Sequence, residues 1–274
     1  MLRDLLVHID GSPAGRRRAR FALELGTRMG AQLTGLHVTP PAEAPPVYKP
    51  SVVVTAVVEI ARRLALDAAE AETIFQEEIT PHMPGARWIA GNGDVVDGVC
   101  AQARYSDLVI VGQYEEEGSP ERHPLPVAHS IVVRCGRPVL VIPAGSETCT
   151  FAKVAIAWDR GREAVRAVHD ALPLLGLAHS VDIVTVIDPT AASDQLSDKQ
   201  LAQHLAHHGI NIVEDGRHVA TPDEHRTLRH ELVQGGYDLL VMGGYSHSMW
   251  REFIFGGATQ SILLSSKTPV LVSH

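Results

Sequence analysis

Three stretches of this chain occur twice in the same order, so whatever fold the first half adopts, the second must adopt too. Asp4-Leu5-Leu6-Val7-His8-Ile9-Asp10-Gly11 returns as Lys153-Val154-Ala155-Ile156-Ala157-Trp158-Asp159-Arg160. Tyr105-Ser106-Asp107-Leu108-Val109-Ile110-Val111-Gly112 returns as Gly236-Tyr237-Asp238-Leu239-Leu240-Val241-Met242-Gly243. Arg137-Pro138-Val139-Leu140-Val141-Ile142 returns as Thr268-Pro269-Val270-Leu271-Val272-Ser273. Counterparts lie 149 residues apart at Asp10/Asp159 and 131 apart at both later pairs, so the second copy is 18 residues shorter in its middle. A period this long specifies two tandem domains and not a solenoid of small repeats. With 274 residues, each copy has ordinary domain size and can bury its own core. The expected division is 1–146 and 151–274. Gly145-Ser146-Glu147-Thr148 forms a polar linker too short to let the domains wander.

Each copy alternates strand and helix signals. In the first, Leu5–Ile9 is a short β-rich run, and Ser12-Pro13 supplies an N-cap hydroxyl and a first-turn proline for a helix over Ala14–Arg28. Gln32–Val38 is the next strand. Pro40, Pro41, Pro45, Pro46 and Pro50 mark an extended loop. Val57, Ala61, Leu64, Ala68, Ala71 and Phe75 recur at helical spacing. A strand near Arg87–Ala90, a helix over Val95–Arg104, the run Asp107–Val111, a helix over Val127–Arg134 and the run Val139–Ile142 complete the copy. The second copy repeats this: strands at Val154–Ala157, Asp182–Ile187, Ile210–Val213, Leu239–Met242 and Val270–Val272; helices at Arg162–Leu175, Ser197–His208, Pro222–Gln234 and Thr259–Ser265. Such alternation builds a doubly wound α/β domain, a mostly parallel sheet with helices on both faces.

Composition narrows the function. The chain is 45% hydrophobic and 20% charged with a net charge of -8, which argues against the basic surface of a nucleic-acid-binding protein. The one basic cluster, Arg16-Arg17-Arg18-Ala19-Arg20, reads as a solvated helix face. No apolar run reaches the roughly 18 residues that span a bilayer, and a strand pattern begins within four residues of Met1, leaving no room for a signal peptide. Cys100, Cys135 and Cys149 have neither metal-like nor CxxC spacing. A reducing cytoplasm without membrane or nucleic-acid partners is the simplest context.

Open parallel sheets bind ligands beyond the carboxyl ends of their strands, where strand order reverses. Two segments should meet there in each copy: one after the first strand, carrying Asp10 or Asp159, and one after the fourth. In the second copy the latter runs from Gly243-Gly244-Tyr245-Ser246 to Gly256-Gly257-Ala258-Thr259. Its small residues open a helix whose free amides suit a phosphate. A tight glycine-capped loop without ligand fits the same residues.

These features together resemble a tandem universal stress protein. ATP-binding members of that family carry G-x2-G-x9-G-[S/T] after the fourth strand; Gly243, Ser246, Gly256 and Gly257 meet the spacing, with Ser246 replacing a glycine and Gly257 replacing the serine or threonine. The strand-one aspartate, the Val186-Ile187-Asp188 ending of strand two, the Asp238–Gly243 run and the Pro269–Val272 strand extend the resemblance over both halves. The resemblance implies a five-stranded sheet per domain and pairing of the domains through their last strands; further association into a homodimer stays open at this point. It implies ATP or a related adenine nucleotide in the second domain, accompanied by magnesium. Asp159 would face the ribose, beside Ala157. Val186 and Met242 would line the adenine slot. Gly243, Ser246, Gly256, Gly257 and Ala258 would surround the phosphates, with a hydroxyl from Thr259.

The first copy is an internal control. Gly112 to Pro138 and Gly243 to Pro269 both span 26 residues, and along them Ser246-His247-Ser248 becomes Glu115-Glu116-Glu117 while Gly256-Gly257 becomes Leu125-Pro126. Proline has no N–H to offer, and three carboxylates repel a phosphate. The first domain is therefore expected to be degenerate, with Asp10 bonding its own turn. Asp94 and Asp97 read as caps, and His204 and His208 as surface histidines, not metal ligands. No Walker A, G-x-G-x-x-G or G-x-S-x-G sequence occurs at the required places. Three readings stand open: a cytoplasmic stress-response protein using the nucleotide as signal or stabiliser, an interaction protein with both sites degenerate, and an enzyme such as a slow ATPase or nucleotidyl transferase. No catalytic or metal-binding set can be named for the last.

Overall fold

The computed structural model describes residues 1–43, 50–113, 127–146, 148–187, 195–220, 235–245 and 257–274. The first half runs β1 (Asp4–His8), α1 (Pro13–Met29), β2 (Gln32–Thr39), α2 (Pro50–Glu78), β3 (Arg87–Asn92), α3 (Val95–Ala103), β4 (Leu108–Gly112), α4 (Val127–Arg134) and β5 (Val139–Ile142). The second runs β6 (Lys153–Ala157), α5 (Arg162–Leu175), β7 (Ser180–Ile187), α6 (Gln195–His207), β8 (Ile212–Ala220), β9 (Leu239–Gly243), α7 (Gly257–Ser265) and β10 (Val270–Ser273). The helix expected over Pro222–Gln234 lies outside the described residues.

Local chemistry sets the boundaries. Ser12 caps α1 by accepting from the Gly15 N–H, and Pro13 takes a first-turn position where its missing donor costs nothing. Gly30 ends the helix at φ 62°, a left-handed conformation that favours glycine. Asp94 caps α3 through the Asp97 N–H at 2.9 Å. The repeated Asp107 and Asp238 serve the fold: Asp107 accepts from the Arg3 and Asp4 N–H groups, and Asp238 from those of Ala152 and Lys153. Each fastens the start of its half's first strand beside the fourth.

The ten strands form one sheet in the order β3-β2-β1-β4-β5-β10-β9-β6-β7-β8. Every pairing within a half is parallel. The halves meet where β10 runs antiparallel to β5, with Val270 opposite Val141, Leu271 opposite Leu140 and Val272 opposite Val139. All four residues of β5 and of β10 are buried. One apolar layer on each face continues across this junction. On one face, Phe21 of α1 meets Phe151 edge-on at 5.8 Å. Arg17 also donates to the Ala144 carbonyl at 2.5 Å and Arg28 to that of Cys149, so α1 holds the linker.

Two expectations change. The strand expected over Ile210–Val213 runs over Ile212–Ala220, through Glu214, Asp215 and Arg217. It is an edge strand of the sheet, and edges tolerate charge. Its pairing with β7 shifts register twice. The arginine run is a solvated face only in part. Arg18 is 4% exposed. Arg16 binds Glu77 and Glu78 at 2.6 and 2.8 Å, and Arg20 holds Glu78 at 2.7 and 2.8 Å, clamping α1 to α2.

Candidate functional site

Each half brings two loops together at the carboxyl edge of its sheet. The crevice lies between β1 and β4 in the first half and between β6 and β9 in the second, adjacent parallel strands from which the chain winds off in opposite directions. This is the switch point where ligands enter such sheets.

In the first half the crevice is filled from within. Arg18 projects from α1, donates through Nε to the His8 carbonyl at 2.6 Å and bonds the Asp10 carboxylate through Nη2. Its guanidinium lies so close to Gly112, the last residue of β4, that a Cβ there would collide with it. The other Asp10 oxygen accepts from the Ser12 N–H at 3.0 Å and from its hydroxyl. Burial alone would raise the Asp10 carboxyl. The Arg18 charge, aided by His8 and the bonds from Ser12 and Arg18, outweighs it and holds Asp10 well below the usual carboxylate range. Asp67 on α2 accepts from the Gly11 N–H at 2.8 Å and stands 3.9 Å from His37, whose Nδ1 donates to the Ile9 carbonyl at 2.9 Å. Burial, reinforced by Asp10 nearby, raises the Asp67 carboxyl above its ordinary value. His8 stacks on His37 at 6.3 Å; burial first and then Arg18 push its pKa down to about 3, so it stays neutral.

The second half keeps this frame with other side chains in it. Ala157 and Met242 are register partners on β6 and β9, and Gly243 follows, so these three expected residues lie together at the exit. Asp159 lies on the loop leaving β6 and accepts from the Gly161 N–H at 2.8 Å. Asp198 of α6, fully buried, takes the place of Asp67, at the same 131-residue offset as the repeats. It accepts from the Thr185 hydroxyl at 3.3 Å and pairs with Arg160 at 3.8 Å. Thr185 stands where the strand register puts His37 in the first half. Ala157 replaces His8, and Ala167, at the 149-residue offset, replaces Arg18. The two acids persist, whereas the two histidines and the crevice-filling guanidinium do not. Arg160 reaches Asp198 from the strand exit itself, with φ 65°.

Gly243 is needed here. A Cβ on it would stand 2.5 Å from the Ala164 nitrogen and 2.7 Å from the Glu163 carbonyl carbon, so the first turn of α5 rests directly on the end of β9. Gly257, Ala258 and Thr259 begin α7, and Thr259 is buried. Since α7 runs from the end of β9 back to the start of β10, its N-terminus lies at the carboxyl edge. Val186 belongs to β7, two residues past the Val184 that pairs with Ala157. Ser246 and Gly256, with Trp250 and Phe253 between them, lie outside the described residues. Thr185, Asp198 and Arg160 were not singled out from the sequence; the 131-residue offset from Asp67 was the available signal for Asp198. Among the described residues no group of three or more histidines, cysteines or acids could hold a metal. Among the described residues no helix is long and apolar enough to cross a membrane.

A doubly wound α/β chain with two head-to-tail copies and a crevice at each switch point defines a class. The sequence model of the universal stress protein family matches residues 1–143 and again 150–274, and the chain belongs to that family. A universal stress protein from Archaeoglobus fulgidus DSM 4304 shares the fold with TM-score 0.68 at 15% identity, over 98% of this chain and 95% of that one. A putative universal stress protein from Pseudomonas aeruginosa UCBPP-PA14 does so with TM-score 0.57 at 14% identity, over 99% and 93%. At such identities the likeness concerns the fold. No curated protein matches the chain.

Proposed function

We propose that this is a cytoplasmic stress-response protein whose second domain, 151–274, binds ATP or a related adenine nucleotide, and whose first domain, 1–146, is a closed counterpart. The observation that carries the reading is the exchange of Arg18 for Ala167. The first crevice holds its own cation on Asp10 and against Gly112; the second has a small buried side chain at the counterpart position. Ala157, Met242 and Gly243 lie together at the second exit, and the amides opening α7 suit phosphates at the same edge. Asp159 stands beside this exit for a ribose, and Val186 further along β7 for the base. Ser246 and Gly256 would complete the phosphate segment, with magnesium accompanying the nucleotide. The ligand acts as signal or stabiliser.

The rival reading is an interaction protein of the same fold that takes no nucleotide. It draws on the Asp159 oxygen already engaged by the Gly161 N–H. Mass spectrometry of material released on denaturing the purified protein separates the two. An adenine nucleotide at one equivalent supports the first; none released, and none bound on adding ATP with magnesium, leaves the second.

A further inference from the structure

We propose that a cavity between α1 and α2 of the first half is a second binding site, which takes a small organic oxyanion, phosphate or carboxylate, on Arg17. The cavity measures about 340 Å³. That is room for a small molecule and not only for water, since ligand sites begin near ~300 Å³ and one water takes up ~30 Å³. Pro13, Arg16, Arg17 and Arg20 of α1 line it with Glu70 and the buried Ile74 of α2. Three cations therefore face one acid, in a chain whose net charge is -8. Neither Asp10 nor Arg18 borders it, so it is separate from the crevice between β1 and β4 and stands whether or not the second half takes a nucleotide.

The three arginines differ in what already engages them. Arg16 bonds Glu77, Glu78 and Glu70, at 2.6, 2.8 and 3.2 Å, and Arg20 bonds Glu78. Those contacts neutralise both cations, hold the one lining carboxylate and fix α1 against α2. Arg17 meets no carboxylate among the described residues. Its Nε donates to the Ala144 carbonyl at 2.5 Å, and no acceptor for either Nη is present among them. The second half shows how such an arginine is otherwise engaged. Arg166, at the 149-residue offset, donates one Nη to the His274 carbonyl at 3.0 Å and the other to that of Gly136 at 3.1 Å, and its Nε lies 3.8 Å from Asp170. Val165 and His169 stand in place of Arg16 and Arg20, and Leu201 in place of Glu70. The fastening arginine is common to both halves; the open guanidinium beside a charged cavity wall belongs to the first.

A guanidinium with both Nη groups open presents a planar fork that matches two oxygens of a phosphate or carboxylate. Of the backbone amides around the start of α1, that of Gly11 is engaged by Asp67, that of Ser12 by Asp10, that of Gly15 by the Ser12 hydroxyl and that of Arg16 by the Ser12 carbonyl. Recognition therefore rests on side chains: Arg17 for the charged group, Ile74 and Pro13 for an apolar body. The occupant sits on the residue that fastens the linker, so it binds the folded arrangement and stabilises it.

Three probes test this on the full-length protein: phenyl phosphate, benzoate and inorganic phosphate, none of which carries adenine or ribose. The readouts are the methyl resonance of Ile74 and the thermal unfolding midpoint. At least one of the two aromatic probes should shift the Ile74 methyl saturably, raise the midpoint and bind about fivefold more tightly than inorganic phosphate, because its ring adds the apolar contact. Phenyl phosphate ahead of benzoate identifies a phosphate ligand, and the reverse order a carboxylate. Arg17→Gln keeps a donor for Ala144 but loses the charge and the fork, and should weaken binding about tenfold. Arg17→Lys should fall between the two. Arg62→Ala, an exposed arginine of α2 outside the cavity, should change nothing. The absence of a saturable Ile74 response to any probe overturns the proposal. So does affinity unchanged in Arg17→Gln, or inorganic phosphate binding as tightly as both aromatic probes.

Discussion

The guanidinium of Arg18 rests on the carboxylate of Asp10 at the switch point between β1 and β4. Both groups belong to the first half; the second keeps the acid as Asp159 and has Ala167 in place of the arginine. The pair is poised between two costs: Arg18 is almost wholly buried, and Asp10 is held ionised by it. Removing the cation leaves a largely desolvated carboxylate without its partner, which destabilises more than an exposed pair would.

Arg18→Ala should therefore lower unfolding free energy by about 3 kcal/mol at pH 7. Adding Asp10→Asn should recover part of that loss, as urea titrations would show. The pH dependence reverses between wild type and variant. In the wild type the folded pKa of Asp10 is depressed, so its contribution is present above the unfolded value near ~4 and lost as pH falls toward the folded one. Without Arg18, burial raises the folded pKa, and stability should instead fall as pH rises through it. Equal acid slopes for the two proteins would remove Arg18 from its assigned role.

His8 gives a separate signature. Its folded pKa of about 3 lies below the unfolded value near ~6.5, so the unfolded chain binds the extra proton in that interval. Stability should decline as pH falls from about 6.5 toward 3, by up to ~1.4 kcal/mol per pH unit from this group alone. His8→Phe should flatten the slope in urea-unfolding midpoints between pH 6.5 and 4. A slope unchanged by the substitution would mean that His8 already titrates normally in the folded protein.

Gly112 and Gly243 close equivalent strands but face different neighbours. Gly243→Ala drives a methyl into the backbone of Glu163 and Ala164, which cannot yield without moving α5, and should cost about 1–3 kcal/mol. Gly112→Ala meets the guanidinium end of Arg18, a long side chain and not backbone. It should cost less, and should weaken the Arg18–Asp10 bond. Thermal unfolding of the two single variants checks the order; equal losses would contradict it.

The junction makes its own prediction. Leu271 faces Leu140 across the antiparallel pair, and proline at Leu271 removes a ladder donor at the centre of the sheet. Leu271→Pro should expand the chain in small-angle scattering and promote aggregation through the exposed edge. Arg251→Pro, outside the strand pairs described, should do so much less. A compact, monodisperse Leu271→Pro protein would mean that the halves are held by something other than this ladder.

The double α/β winding was legible because the sequence contains its own comparison, and the repeats marked strands and helix spacing in both halves. Asp94 and Ser12 were readable as caps because capping is local chemistry. Arg18 was misread because four arginines within five residues suggest a wet surface. Yet its spacing sets it with Gly15, Ala22 and Leu25 on the buried face of α1. Asp198 and Thr185 are placed by strand register and by a helix packing over the sheet, relations that no short motif encodes. The far reach of β8 was hidden because charged residues on an edge strand carry no alternating signal.

The central claim is one nucleotide site per chain, in the second half, and equilibrium dialysis against ATP and magnesium tests it most directly. A stoichiometry of one is expected. Gly256→Glu should abolish binding with circular dichroism unchanged, because a carboxylate would repel phosphate at the start of α7. Two equivalent sites per chain, or full binding retained in Gly256→Glu, would contradict it.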